Sequence, residues 1–364
     1  MKGPVIEVRD LLIVRNGMAA LSVDALEFDK SLVYSLIGPN GAGKSTLLLS
    51  LMRLVRPDRG TIRYRGDEIA AGTSVLHYRR AMAMVFQEPL LFTTTVFDNV
   101  ASGLKMRGVK RGDIRKTVER NLELLGIGAL AKRKAWTLSG GEAQRVSIAR
   151  ALAVDPAILL MDEPFSSLDA PTRESLITDL DRVIRERGIT TVFATHDRAE
   201  AIRLADRIIV MNGGSVVQAG SPGEITLNPA SEFVASFMGT ETILTGEVTG
   251  SGEGVFSVSV RGRAIEAAGT AERGKAVTFC VHPDNIILSA APLEASARNS
   301  FRGTVSRIVP LGLFRKVYVD CGFTLVAYVT NRSVEEMGMA AGKEITASFK
   351  ATAVHVIKTS NLAG

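Results

Sequence analysis

Residues 38–45, Gly-Pro-Asn-Gly-Ala-Gly-Lys-Ser, have the glycine, lysine and hydroxyl spacing of a loop that binds phosphate groups. Glycines allow the backbone to approach anionic oxygens closely and to turn its N–H groups toward them. The lysine places a positive charge on the β- and γ-phosphates of a nucleotide, and the hydroxyl after it can ligate Mg²⁺. We therefore predict a site for ATP with Mg²⁺, in which Ser45 is a metal ligand. The residues expected to contact the nucleotide in this loop are Gly38, Pro39, Asn40, Gly41, Ala42, Gly43, Lys44, Ser45 and Thr46.

A second group of candidate residues is an acidic pair, Asp162 and Glu163, which follows the apolar run Ala157–Met161. An acidic pair after a strand is most often an ordinary loop. In a chain that also carries a phosphate-binding loop, a carboxylate at a strand tip is placed to hold the Mg²⁺ ion that bridges the phosphates. The carboxylate after it can polarise the attacking water as a general base. We predict the first role for Asp162 and the second for Glu163.

Both motifs need buried strands to position them, and the sequence supplies suitable runs. Continuous apolar or β-branched runs of five or six residues are typical of strands buried on both faces. Their alternation with helical patterns predicts an α/β domain with a parallel sheet. The predicted strands are Leu32–Ile37, Ala157–Met161, Thr190–Ala194 and Arg207–Met211, and the predicted helices are Lys44–Leu54, Gly141–Ala153 and Pro171–Arg187.

The stretch Asp113–Lys134 has few β-formers and reads as helical throughout. Because it lies between the two motifs, we expect a helical subdomain inserted at about residues 89–140. From about residue 240 the pattern changes to short alternating segments broken by glycine, which predicts an all-β, OB-like barrel. The predicted domains are therefore 1–240 and 241–364, with a loop-like break at residues 290–300.

Composition limits the classes of protein to which the chain can belong. The chain has 364 residues, a net charge of +6 and two cysteines, Cys280 and Cys321. Two cysteines cannot form a disulfide framework in a chain of this length, so we expect buried thiols in a reducing compartment. The N-terminus lacks the apolar region of a signal peptide, and no apolar run approaches the ~20 residues that span a bilayer. We expect a cytosolic chain whose membrane role, if any, comes through a partner.

The segment Leu138-Ser139-Gly140-Gly141-Glu142 resembles the signature sequence of ABC ATPases, which separates that family from other enzymes with a phosphate-binding loop. The other family landmarks stand in the order that the family shows. Gln87 in VFQEP precedes the signature, and the D-loop-like Ser167-Leu168-Asp169 and His196 in ATHDRAEA follow it. The resemblance covers residues 1–240. It implies an ATPase in which Gln87 contacts Mg²⁺ and the attacking water, and His196 is the switch histidine.

The resemblance also implies a homodimer. In the family, the signature of one protomer closes over the γ-phosphate of the ATP that the other protomer binds. Ser139, Gly140 and Gly141 would lie at a helix N-terminus, which favours anions. Two copies of this chain would therefore hold two ATP molecules in a two-fold, self-complementary interface.

One departure from the family pattern concerns the adenine base. ABC ATPases usually carry an aromatic residue near the end of the first strand, where it stacks on adenine. The matching stretch here is Leu12–Asn16, which has no aromatic residue. Arg15 is the candidate for this contact, because a guanidinium plane can stack on a base.

Three absences favour an importer subunit over the other ABC classes. The sequence shows no membrane span, only one phosphate-binding loop, and no room for a coiled coil between Gln87 and Ser139. The resemblance then implies a peripheral protein on the cytoplasmic face of the cell membrane. Its partners would be integral-membrane permease subunits and, indirectly, an external solute-binding protein.

The C-terminal region resembles two kinds of barrel. Residues 233–239 and 281–288 resemble the β-barrel regulatory extension of importers for anions, sugars, polyamines and ferric iron. Residues 296–358 are more similar to the molybdate-binding (TOBE/Mop) barrel, on the segments 296–299, 303–308, 330–333 and 349–354. The resemblance implies an oxyanion site that suits molybdate or tungstate. Its candidate residues are Ser296, Arg298, Thr330, Ser333 and Lys350.

Three alternatives stay open at this stage. The barrel residues are ordinary surface types and would also suit a barrel that binds nothing. The main interpretation is an importer ATPase for molybdate or tungstate that is regulated by its C-terminal barrel. A second alternative is an importer ATPase for sulfate, ferric iron or a polyamine, because the ATPase half does not separate these solutes. An oxyanion-responsive regulator that binds DNA is disfavoured, because no segment has the pattern of a helix-turn-helix; no nucleic-acid partner is predicted.

Overall fold

The computed structural model describes residues 3–69, 73–291 and 297–361. The chain divides into two compact units, residues 1–222 and 223–364. The composition change near residue 240 coincides with the start of the first strand of the second unit, at Thr242. Two short helices before that strand also group with the second unit.

A mixed sheet forms the centre of the first unit. Its strands, within the described residues, are β1 (Ile6–Arg15), β2 (Met18–Phe28), β3 (Val33–Ile37), β4 (Arg59–Tyr64), β5 (Asp67–Glu68), β6 (Met82–Val85), β7 (Ile158–Asp162), β8 (Thr190–Thr195), β9 (Arg207–Asn212) and β10 (Ser215–Gly220). They lie in the order β5-β4-β1-β2-β10-β9-β3-β8-β7-β6. Strands β9, β3, β8, β7 and β6 are parallel, as predicted.

In the other half of the sheet the strands pair antiparallel, apart from one parallel bridge between β10 and β2, so the prediction of a parallel sheet was wrong there. Strands β1 and β2 are joined by Asn16 and Gly17, both with positive φ (51° and 77°). A two-residue turn of this kind can only form a hairpin, because parallel strands need a long crossover.

Helices flank the sheet of the first unit. They are α1 (Lys44–Leu51), α2 (Thr73–Arg80), α3 (Val96–Met106), α4 (Arg111–Leu124), α5 (Gly140–Ala153), α6 (Ala170–Arg187) and α7 (Arg198–Leu204), with short 3-10 turns at Gly128–Leu130 and Ala135–Thr137. The prediction that residues 113–134 are helical throughout was wrong, because α4 ends at Leu124 and only a short 3-10 turn, Gly128–Leu130, follows. Gly126 has a φ of 66°, which stops the helix, and Lys134 instead forms a β-bridge with Thr95.

The strands that carry the motifs are buried on both faces. Every residue of β3 and β8 is buried, as are four of the five residues of β7. Leu36, Leu160 and Val192 from these strands pack in one core with Leu47 and Leu48 of α1. At ~25 cal/mol per Å² of apolar area removed from water, this burial is the main stabilising term that fixes the strand ends in place.

The second unit is all-β after two short helices, α8 (Pro222–Leu227) and α9 (Glu232–Met238). Its strands, in the part of the chain that is described, are β11 (Thr242–Gly252), β12 (Val255–Val260), β13 (Arg263–Ala268), β14 (Lys275–Val281), β15 (Ile287–Ser289), β16 (Asn299–Leu311), β17 (Phe314–Asp320), β18 (Thr324–Thr330), β19 (Glu344–Phe349) and β20 (Val354–Asn361), and helix α10 (Asn331–Glu336) follows β18. They form two sheets, β13-β12-β11-β14-β20 and β15-β19-β16-β17-β18. The predicted OB-like, all-β domain is confirmed.

The two sheets of the second unit share one apolar core. Val248 and Phe279 from the first sheet and Val305 and Phe349 from the second are among its fully buried members. Cys280 and Cys321 are free and buried, as predicted, and burial raises the pKa of each thiol to about 11. No helix among the described residues is long and apolar enough to cross a membrane.

Candidate nucleotide-binding and catalytic site

The phosphate-binding loop connects the end of β3 to the start of α1, where sequence reasoning placed it. At Gly38 a Cβ atom would lie 2.1 Å from the backbone oxygen of Met211, so only glycine fits. Gly43, the N-cap of α1, has a φ of 97°, which L-residues rarely adopt. These two glycines let the loop turn sharply and present the N-terminus of α1 to an anion.

Lys44 lies at the centre of this loop with its side chain buried. Its Nζ donates to the carbonyl oxygens of Gly38 (2.7 Å) and Pro39 (3.0 Å). Burial lowers the pKa of Lys44, while the nearby carboxylates of Glu163 and Asp162 act in the opposite direction. The ammonium is therefore held in place by the loop, close to the predicted catalytic carboxylates.

Asp162 ends β7 beside the phosphate-binding loop. Its carboxylate accepts a hydrogen bond from the Ser45 hydroxyl, and burial raises its pKa, with Glu163 acting in the same direction. A carboxylate and a hydroxyl that already touch each other supply the hard oxygen ligands that Mg²⁺ prefers. The two residues therefore fit the metal-ligand roles predicted for them.

Glu163 lies between the other two predicted catalytic residues, Gln87 and His196. Its Oε2 lies 3.2 Å from Nδ1 of His196 and accepts a hydrogen bond from Nε2 of Gln87 at 3.4 Å. These residues come from three separate loops, after β6, β7 and β8. The structure thus places a candidate general base between two polar side chains that can orient it and a water molecule.

The backbone at Glu163 is unusual. Its φ is 43°, in the left-handed region that residues other than glycine seldom occupy. The backbone N–H of Glu163 donates to the carbonyl oxygen of Ala194 at 3.0 Å, which ties the residue to the strand that precedes His196. Strained backbone of this kind persists only where neighbours hold it, and it is often found at functional sites.

Lys44, Ser45, Gln87, Glu163 and His196 line a cleft of about 970 Å³. The β1–β2 hairpin contributes further residues to the lining of this cleft. Arg15 is one of them, so it shares the cleft with the phosphate-binding loop. Sequence reasoning missed Met18, which pairs with Arg15 across the turn and is 73% exposed. The signal was an apolar residue directly after a two-residue turn.

The signature residues lie in a different cleft of the chain. Ser139 caps α5 by accepting a hydrogen bond from the backbone N–H of Glu142, whose side chain in turn accepts from Ser139 N–H. Ser139 and Gly140 are exposed, and with Gly141 they line a cleft of about 830 Å³ shared with the segment 167–169. The predicted anion-binding end is thus present, but not beside the phosphate-binding loop.

A network of polar contacts links segment 167–169 to the loop that carries His196. Arg173 donates to the carbonyl oxygen of Leu168 (3.1 Å) and lies 3.6 Å from the carboxylate of Asp197. The Thr195 hydroxyl donates to the buried carboxylate of Glu200 (2.5 Å), which lies 3.9 Å from Arg173. Arg173 is therefore a positioning residue between these two loops.

The predicted oxyanion residues of the second unit fall into two groups. Thr330 caps α10, and its hydroxyl contacts the Ser333 hydroxyl at 2.8 Å. Strand register pairs Asn299 with Phe349, so Arg298 and Lys350 lie just beyond that end of β16 and β19. Thr330 lies level with the opposite end of β16, and Ser296 is outside the described residues. Within one chain the structure does not gather the described members of the set into a single site.

Comparison with known proteins places the chain in a family. The ABC transporter family model matches residues 21–166 and the TOBE domain model residues 295–356. The molybdate/tungstate import ATP-binding protein WtpC of Pyrococcus abyssi is 40% identical over 331 residues, which is 89% of this chain and 92% of that protein. The chain belongs to the ATP-binding subunits of ABC transporters.

Other similar ABC subunits serve different solutes. The spermidine/putrescine import ATP-binding protein PotA of Thermobifida fusca is 40% identical, over 81% of this chain and 76% of that protein. The sulfate/thiosulfate import ATP-binding protein CysA of Mycobacterium tuberculosis is 37% identical, over 85% and 82%. Among solved structures, a dimeric ATP-binding cassette in a post-hydrolysis state with ADP and Pi matches with a TM-score of 0.55 and 29% identity, over 60% of this chain and 98% of that one.

Membership of the ABC family establishes the chemistry. The chain is an ATPase that uses ATP with Mg²⁺. Import ATP-binding subunits of this family act as dimers with membrane permeases. The cleft lined by Lys44, Ser45 and Glu163, with Asp162 hydrogen-bonded to Ser45, contains the side chains that such an activity requires.

Proposed function

We propose that this ABC ATPase powers the import of molybdate or tungstate. It acts at the cytoplasmic face of a membrane permease, to which an external solute-binding protein delivers the oxyanion. The supporting observation is the match to molybdate/tungstate import subunits over nearly the whole chain, including the barrel. The polyamine and sulfate importers are similar at comparable identity, so solute choice is the part that an experiment must test.

The arrangement of the two clefts supports a sandwich dimer as the working form. In one chain, the phosphate-binding loop lines one cleft and the signature lines another. The loop and the signature can act on the same nucleotide only if two chains contribute, one supplying Lys44 and the other Ser139. A two-fold dimer satisfies this requirement twice and holds two ATP molecules.

The proposal assigns each residue of the site a role in hydrolysis. Lys44 and the loop N–H groups bind the phosphates. Ser45, Asp162 and Gln87 would hold Mg²⁺, which would neutralise charge on the phosphate oxygens. Glu163 accepts the proton of the attacking water, while Gln87 and His196 orient Glu163 and that water molecule. Loss of the γ-phosphate contact between protomers then shifts the dimer toward an open state.

Solute choice is tested in cells from which the gene for this chain has been deleted. We expect cellular molybdenum and tungsten to fall at least tenfold at low external concentration, with sulfate and spermidine uptake unchanged. Re-expression of the chain should restore the cellular content of molybdenum and tungsten, whereas expression of the Glu163→Gln variant should not. Normal metal content together with lost sulfate or spermidine uptake would reassign the solute and leave the ATPase intact.

The barrel is tested by calorimetric titration of the full chain with tungstate, molybdate and sulfate. Arg298 and Lys350 are the charged members of the predicted set, and Arg298 also lies 3.4 Å from Glu266. Because a hydrogen bond to a charged group contributes ~1.5–3 kcal/mol, Arg298→Ala should weaken tungstate binding roughly tenfold or more. Arg302→Ala is the matched control, since Arg302 is an exposed arginine of β16, four residues after Arg298, and pairs with Glu344. Equal binding in both variants would remove Arg298 from the site.

A further inference from the structure

Trp136 is the single tryptophan of the chain and is 63% exposed. It lies in the 3-10 turn Ala135–Thr137, three residues before Ser139 of the signature. An indole is among the largest apolar surfaces that a side chain can present, and it usually lies against the interior, a partner or a ligand. Its position beside the signature therefore calls for a functional explanation.

The backbone around Trp136 is fixed although the ring is exposed. Ala135 is buried and its N–H donates to the carbonyl oxygen of Thr94 at 2.9 Å. Lys134 forms a β-bridge with Thr95, and the Thr137 hydroxyl donates to the Lys134 carbonyl oxygen at 2.8 Å. The ring is thus held outward by an anchored turn, which lowers the entropy cost of binding.

The surroundings of the ring are cationic. Three basic residues, Lys132, Arg133 and Lys134, precede it with only Ala135 between, and Nζ of Lys134 lies 5.6 Å from the ring centroid. Arg133 is paired with Glu142 at 3.1 Å. A flat aromatic face among positive charges matches a ligand that is both planar and anionic, as a nucleotide is.

The nucleotide cleft lacks such a face at its base end. None of the described residues that line it is Phe, Tyr or Trp. The hairpin offers only a guanidinium at Arg15 and the exposed thioether of Met18. A base lying there would have contacts on one side and solvent on the other.

We propose that Trp136 of one protomer stacks on the base of the ATP bound by the other, opposite Arg15 and Met18. The inference rests on the proposed sandwich dimer, in which Ser139 closes over the γ-phosphate end of the cleft. Three residues of chain reach at most about 10 Å, so the ring lies within a nucleotide's length of that contact. Trp136 replaces, from across the interface, the aromatic residue that the first strand lacks.

The single tryptophan makes the test direct, because all indole emission reports this ring. The full-length Glu163→Gln variant is titrated with ATP and Mg²⁺, while dimer formation is followed by light scattering. We expect Trp136 emission to change with the same ATP dependence as dimer formation. Inorganic triphosphate with Mg²⁺, which has no base, should give at most a small change.

Substitution gives the second measurement. Since stacking of a base on an aromatic side chain contributes on the order of a tenfold gain in affinity or more, Trp136→Ala in the same background should raise the ATP concentration for half-maximal dimer formation about tenfold. Trp136→Phe should bring the ATP concentration for half-maximal dimer formation most of the way back to that of the parent. Met106→Ala, which removes another exposed apolar side chain (76% exposed), is the control and should have no effect.

Three outcomes would overturn the inference. A dimer that forms with unchanged emission, or a Trp136→Ala variant with the ATP dependence of the parent, would show that the ring does not contact the base. An equal response to triphosphate would assign the ring to the protein interface alone. In each case the dimer itself would stand. Absence of any ATP-dependent dimer would instead overturn the sandwich and the inference together.

Discussion

Glu163→Gln should lower steady-state ATP hydrolysis by roughly a hundred- to ten-thousand-fold, the contribution typical of a general base. The amide has the size and shape of the carboxylate, so the positions of Gln87 and His196 around it should be retained. It cannot accept the proton of the attacking water. Phosphate release under saturating ATP and Mg²⁺ measures the loss, and equilibrium binding of a fluorescent ATP analogue should show unchanged affinity.

In the proposed sandwich dimer the γ-phosphate bridges the two protomers. Because Glu163→Gln no longer removes it, the same variant should accumulate as an ATP-bound dimer. Light scattering with and without ATP detects this. Glu174→Gln is the matched control, since Glu174 is an exposed glutamate of α6 that pairs with Arg203. Turnover within a few-fold of the parent in Glu163→Gln would show that another group accepts the proton.

Lys44→Ala should raise the dissociation constant for ATP with Mg²⁺ at least about a hundredfold. The ammonium makes charge-assisted contacts to two phosphates, and each hydrogen bond to a charged group contributes ~1.5–3 kcal/mol. Without nucleotide the side chain donates to the carbonyl oxygens of Gly38 and Pro39, so the loop loses two contacts as well. Calorimetric titration with ATP and Mg²⁺ measures the affinity directly.

A thermal unfolding midpoint within a few degrees of the parent would show that Lys44→Ala is folded, because removal of the buried ammonium also removes its desolvation cost. Lys105→Ala serves as the control, since Lys105 is exposed and pairs with Asp98. ATP affinity retained within tenfold in Lys44→Ala would contradict the role assigned to the lysine. ATP affinity lost in both variants would point to a general charge effect instead.

The parts of the site that are encoded by contiguous residues could be predicted. The loop 38–45 is specified by its own glycines, and Asp162 and Glu163 by the buried run before them. The antiparallel half of the sheet was missed, although Asn16-Gly17 is a strong hairpin signal. Residues 113–134 were predicted to be helical throughout because the stop at Gly126 was not weighed against the helical composition around it.

The convergence of Gln87, Glu163 and His196 could not be predicted from local patterns. It depends on β6, β7 and β8 lying side by side, and the order of strands in a sheet is set by long-range packing. The left-handed backbone of Glu163 is likewise imposed by its hydrogen bond to Ala194. In the barrel, a resemblance in sequence grouped Arg298 with Thr330, while the strand register separates them by the length of β16.

The two buried cysteines make the wild-type chain a ready background for site-specific labelling. At neutral pH a thiol reacts with maleimides as its thiolate, and burial together with a pKa of about 11 leaves almost none at Cys280 and Cys321. A cysteine introduced on an exposed surface would therefore be the site that takes up a dye. Opening and closing of the dimer could then be followed by energy transfer between two dyes without first removing the native thiols.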